Sequence, residues 1–116
     1  MASPLSKNEL YELSWAFAYL TDDSMAPIDP LTYRTYEKDN CLHIAALRGN
    51  LRAVELLVKT GLDVNEPGDC GNTPLHYANG AKVVAFLLAH GARQDIENGF
   101  GELANGWMNA SDINPD

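Results

Sequence analysis

One segment of this chain is written twice. Leu42-His43-Ile44-Ala45 returns as Leu75-His76-Tyr77-Ala78, 33 residues later. Val54-Glu55-Leu56-Leu57-Val58 returns as Val84-Ala85-Phe86-Leu87-Leu88, and Gly61 as Gly91, but at an offset of 30. A unit has been copied with three residues absent from the middle of the second copy. A tandem unit of this length is one supersecondary element that cannot bury its apolar side alone, so the copies must stack.

The second unit shows why each copy should be a helix pair. Thr73 can cap an inner helix, and Pro74 takes the first helical position, where its missing N–H costs nothing. Leu75 and Ala78 face inward, the small alanine allowing close helix approach. An outer helix over about residues 81–90 packs through Val84, Leu87 and Leu88. His90 lies at its negative end and Gly91 can take the left-handed stop. The first unit repeats the design with Leu42, Ala45, Ala46, Val54, Leu56, Leu57 and Val58, ending at Gly61.

The flanks are less regular. Ser6-Lys7-Asn8-Glu9 has the form of a capping box. The spacing of Leu10, Leu13, Phe17 and Leu20 behind it predicts an amphipathic helix over 7–20, with Trp15 and Tyr19 on its flank. Residues 21–36 read as a connector, because Pro27 and Pro30 turn their preceding residues away from helix. It could fold back along the first helix through Met25, Ile28 and Leu31.

With this period, TPLHYA at 73–78, Gly71 before it, Gly49 between helices and Gly61-Leu62-Asp63-Val64-Asn65 leading the loop, the chain resembles the ankyrin repeat family across residues 38–102. The resemblance implies an all-α solenoid of helix–turn–helix units joined by β-hairpin-like loops at right angles. Residues 1–36 then form an N-terminal cap and connector, 37–94 two repeats, and 95–116 a degenerate C-terminal cap and tail, the tail at 111–116. The first unit departs from the family in having Asn40-Cys41 where Thr-Pro is usual. Two complete units are few, since stability usually needs about three, so both flanks are expected to be structural.

No catalytic constellation stands out. His43 and His76 recur with the repeat, which argues for a structural role; the resemblance implies that they tie loop to neighbour. Cys41 and Cys70 fit no metal spacing, and Cys70 at a hairpin tip is either an incidental thiol or a redox one. Asp22-Asp23 lies in a turn, where aspartate is expected. Neither a phosphate-binding glycine loop nor a nucleophile elbow is present. The expectation is a chain with no enzymatic activity, no cofactor and no metal. An enzyme would need His43 or His76 in a pocket with a carboxylate and a nucleophile. Two cysteines make no disulfide framework, and neither a leader nor an apolar run of spanning length is evident, so a cytoplasmic monomer is expected.

The remaining signal is surface. The formal charge is −8, and residues 61–116 hold 8 acidic but only 2 basic side chains. That balance repels phosphate backbones and anionic membranes and attracts basic protein surfaces, although it also serves solubility. In the family, partners are held by hairpin tips and the exposed inner-helix face. Carried over by position, the resemblance implies a partner-binding row of Tyr36, Glu37, Asp39, Leu47, Arg48, Asp69, Cys70, Asn72, Glu97, Phe100 and Glu102. Losing three residues near Asn79-Gly80 removes about 4.5 Å of helix, which either notches the concave face for a partner or is tolerated length variation. Small acidic proteins of this kind resemble immunity proteins that occlude a bacterial toxin or effector domain; a regulatory adaptor or inhibitor of a cellular enzyme or transcription factor is the alternative.

Overall fold

The computed structural model describes residues 4–22 and 24–104. Asp23, the end of the expected C-terminal cap from residue 105, and the expected tail lie outside them. Five α-helices occur among the described residues: α1 (Lys7–Ala16), α2 (Cys41–Arg48), α3 (Leu51–Lys59), α4 (Pro74–Tyr77) and α5 (Ala81–Ala89).

The helices stack in two rows. α2 packs on α3 within its unit and on α4 of the next, while α1, α3 and α5 follow one another along the outside. The shared core contains Leu13, Phe17, Leu42, Ala45, Ala46, Val54, Leu56, Leu57, Leu75, Val83, Val84 and Leu87, all buried. Burying one such leucine contributes about 1.5–3 kcal/mol, and alanines 45 and 46 let α2 come close to its neighbours. α1 sits in the outer row with no inner helix beside it among the described residues. Leu20, Ile28, Leu31 and Tyr33 of the connector pack against the core instead. Outside, Arg52 pairs with Glu12 and Lys59 with Glu9, each at 2.9 Å, lacing α3 to α1.

The first helix is shorter than its apolar spacing predicts. Ser6 and Glu9 form the capping box, but the helix ends at Ala16 and Phe17 leaves helical geometry (φ −117°). Leu13 and Phe17 are buried, whereas Leu10 is 43% exposed and Trp15 65%. α1 packs mainly on α3, and Leu13 is its buried residue.

α4 is one turn long. Ala78 turns extended (φ −52°, ψ 125°) and Gly80 takes φ 99°. The Asn79 N–H donates to the Ala46 carbonyl of α2 at 2.9 Å, and a Cβ at Gly49 would meet the Asn79 carbonyl at 3.0 Å. The truncated end is therefore tied onto the first unit through Asn79.

The loops between units are hairpins built on a single scheme. In each, residue i donates to the carbonyl of i+4, and i+3 donates back to i. The pairs are Asp22–Ala26, Thr35–Asp39, Gly68–Asn72 and Asn98–Glu102. The i+3 positions, Met25, Lys38, Gly71 and Gly101, all have φ between 69° and 76°. The last three hairpins are the fingers of successive units.

Two histidines hold the later fingers in place. The Asn40 N–H donates to His43 Nδ1 at 3.0 Å, so that nitrogen is bare and Nε2 carries the proton, which it donates to the Glu66 carbonyl at 2.7 Å. One unit along, the Thr73 N–H donates to His76 Nδ1 at 2.9 Å, and Nε2 reaches the Glu102 carbonyl at 2.9 Å. Each ring thus caps its own helix and clamps the following finger. Burial holds the His43 pKa below the ordinary histidine range, against the opposing pull of the Glu66 carbonyl and the Asp39 and Glu66 carboxylates.

Two outcomes follow from this construction. The unfolded chain binds a proton at His43 that the folded chain resists, so stability is full above about pH 6.5 and declines as pH falls below it. Urea midpoints at pH 7.5 and 5.5 should therefore drop on acidification, and His43→Gln should flatten the drop. Gly80→Ala should cost about 1–3 kcal/mol by forcing a side chain into a glycine-only region, read from the same urea curves.

Candidate protein-binding edge

The three fingers project from the helix stack and bring most of the row expected from the sequence onto one edge. Tyr36 is 93% exposed and Phe100 73%, one and two residues past the first turn position of their hairpins. Aromatic side chains held in water on hairpins carry a large apolar area that the described residues leave mostly uncovered. Glu37, Cys70, Glu97 and Glu102 are exposed around them, with Asp69 half-buried.

The row divides by what its members already hold. Asp39 is half-buried: its Oδ1 accepts from the Asp69 N–H at 2.8 Å, and the Tyr77 hydroxyl donates to both oxygens at 3.0 and 3.1 Å. Gly68 leaves the space for this carboxylate and for the His43 ring. Tyr77 in turn meets His43 edge-on at 5.6 Å, and burial together with Asp39 pushes its hydroxyl pKa well up. Asp39 thus ties finger one to finger two and to α4. Asn72 Oδ1 accepts from Asn98 at 2.8 Å, linking fingers two and three. Glu102 accepts from the same Asn98 amide at 3.0 Å. Backbone joins them too, the Gly99 N–H donating to the Cys70 carbonyl at 2.6 Å.

Leu47 and Arg48 stand apart from the fingers at the end of α2. Leu47 is 56% exposed, since the missing turn of α4 is the counterpart of this part of α2. Arg48 lies over the Tyr19 ring, 4.7 Å from its centroid, a contact that steers its guanidinium toward the segment that follows α1. Cys70 has φ 55° at the finger tip, and the neighbouring Asp69 carboxylate raises its pKa, which disfavours the reactive thiolate. Cys41 is fully buried and its pKa is pushed up to about 12. No cluster of three metal-binding side chains occurs among the described residues. None of the described helices is long and apolar enough to cross a membrane.

Sequence reasoning missed the Tyr77–Asp39 bridge; it placed Asp22 in a turn, but Met25, expected to fold back along the first helix, is instead 78% exposed at the left-handed position of that turn. Tyr77 follows the histidine directly, and an aromatic there facing an acid one repeat earlier was the available signal. The first hairpin has methionine at its left-handed position, so no glycine marked it.

Comparison with known proteins agrees with this architecture. The family model for ankyrin repeats, in three copies, matches residues 15–98 and so reaches back into the end of α1 and the connector. Over 65 residues the chain is 45% identical to human protein phosphatase 1 regulatory subunit 27, covering 53% of this chain and 42% of that protein. It is 39% identical over 71 residues to human ankyrin repeat domain-containing protein 40, covering 58% and 19%. It is 41% identical over 49 residues to the NF-kappa-B inhibitor cactus of Drosophila melanogaster, covering 41% and 10%. The chain spans less than half the length of each of these relatives. With histidine-clamped fingers on stacked helix pairs, and a family match over most of its length, this chain belongs to the ankyrin repeat family.

Proposed function

We propose that this chain is a non-catalytic binding module that holds a protein partner along its finger edge and occludes the partner's working surface. The observation that carries the reading is the edge itself: two exposed aromatics, Tyr36 and Phe100, on hairpins cross-tied into one rigid row and flanked by Glu37, Asp69, Glu97 and Glu102. Members of the family serve as protein-interaction modules, and two relatives are named as a phosphatase regulatory subunit and an NF-kappa-B inhibitor. Control of another protein by binding is therefore the reading with most support. Neutralising a bacterial toxin or effector domain is the same mechanism with a different partner, and rests on the acidic balance alone.

The partner presents a basic surface. A formal charge of −8 speeds encounter with such a surface, while the aromatics supply most of the affinity. Asp39 and Asn72 act from behind, holding the fingers in register, and Leu47 and Arg48 extend the contact onto α2. The chain acts as a monomer in a reducing, cytoplasmic setting, in keeping with its two free thiols.

The test is affinity for the protein recovered by pull-down from native lysate, measured at low and high salt. Glu37→Lys with Glu97→Lys should weaken binding at least tenfold at low salt, flatten the salt dependence and leave the melting temperature unchanged. Unchanged affinity and salt dependence would remove the charged edge from the interface.

A further inference from the structure

The connector adds a hairpin that the repeat does not require. From the end of α3 to Gly68 the chain takes nine steps, and from the end of α5 to Asn98 again nine, but from the end of α1 to Thr35 nineteen. The surplus holds the Thr21–Pro27 hairpin, which copies the hydrogen bonding of the fingers without belonging to a complete unit. It stands beside the first finger, and the two border an open cleft of about 550 Å³ with Asp22, Tyr33, Arg34, Tyr36 and Glu37 in its walls.

The chemistry of the walls selects an occupant. Asp22 Oδ1 accepts from the Ser24 N–H at 2.8 Å, the Ser24 hydroxyl at 2.6 Å and the Ala26 N–H at 3.0 Å, which fixes the carboxylate in place. Those bonds also hold its pKa below the usual range, so it is charged. Glu37 is exposed on the facing hairpin. The one cation of the walls, Arg34, is paired at 3.6 Å with Glu66, which is not part of the cleft. The cleft is thus negative overall and carries an aromatic ring that is almost fully in water. An acidic segment would be repelled, and an apolar one would strip water from two carboxylates without replacing it. A guanidinium satisfies both features at once, since it stacks on an aromatic face and pairs with carboxylates in a planar fork.

We infer that the cleft between the extra hairpin and the first finger receives an arginine side chain from an extended segment of the protein partner, stacked on Tyr36 and paired with Asp22 and Glu37. This rests on the reading of the edge as a site for a basic protein, and gives that edge its point of specificity.

The probe is a blocked tri-arginine peptide titrated into the full, nitrogen-15-labelled chain at low salt, with a blocked tri-lysine peptide in parallel. The expected result is saturable amide shifts concentrated at 21–27 and 33–38, with tri-lysine at least threefold weaker. Tyr36→Ala and Glu37→Gln, both at exposed positions, should each weaken tri-arginine at least threefold. Shifts confined to 69–72 and 97–102 would leave the basic-partner edge standing and overturn the cleft. Small shifts spread over the acidic surface and indifferent to Tyr36→Ala would overturn it as non-specific attraction. No saturable shift anywhere would overturn both the cleft and the basic partner.

Discussion

The second and third fingers depend on one repeated hydrogen bond, from a histidine Nε2–H to the backbone carbonyl of the next finger. A hairpin of about five residues has almost no core of its own and would not hold one direction in water. His43 and His76 supply the direction by anchoring the Glu66 and Glu102 carbonyls to helices seated by the fully buried Leu42 and Leu75. The other ring nitrogen accepts a backbone N–H at the helix start, so the ring cannot turn away without orphaning a donor. Helix packing, helix capping and finger position are therefore a single coupled arrangement. Asp39, reaching Tyr77 and the Asp69 N–H, adds a second tie between the same elements.

That coupling explains how the chain can be a specific binder with few complete units. The core is small, and α1 with the connector must cover one end of it. Rigid fingers lose little freedom on binding, so exposed aromatics such as Tyr36 and Phe100 can act as anchors without first being ordered. Under the proposed reading, the charge around them operates at longer range and favours the approach of basic surfaces. The division is physical: residues with internal partners, Asp39 and Asn72, build the edge, while Tyr36, Glu37, Glu97 and Phe100 face outward from it.

The sequence made the helix pairs legible because repetition states the same packing problem twice. Leu42, Leu56, Leu57, Leu75 and Leu87 are core by periodicity alone, and the recurrence of histidine at an equivalent position marked a structural role. The connector was opaque for a local reason. Its two hairpins place Met25 and Lys38 in left-handed positions where the later fingers have Gly71 and Gly101, so the usual turn signal is missing. The length of α1 was overestimated because apolar spacing continues through Phe17 and Leu20 after the helical backbone has ended. The three-residue gap was visible, but not that Asn79 would bond back to Ala46. A backbone contact between units leaves no side-chain trace.

The most direct test of this account is the protonation pattern of the two histidines in the folded protein, read by long-range nitrogen-15 NMR of the imidazole rings at pH 7.5. The account predicts, in both rings, Nδ1 bare and the proton fixed on Nε2. A proton on Nδ1 of either ring, or fast averaging between tautomers, would contradict it, because that ring would then not be fixed between its helix start and the finger carbonyl.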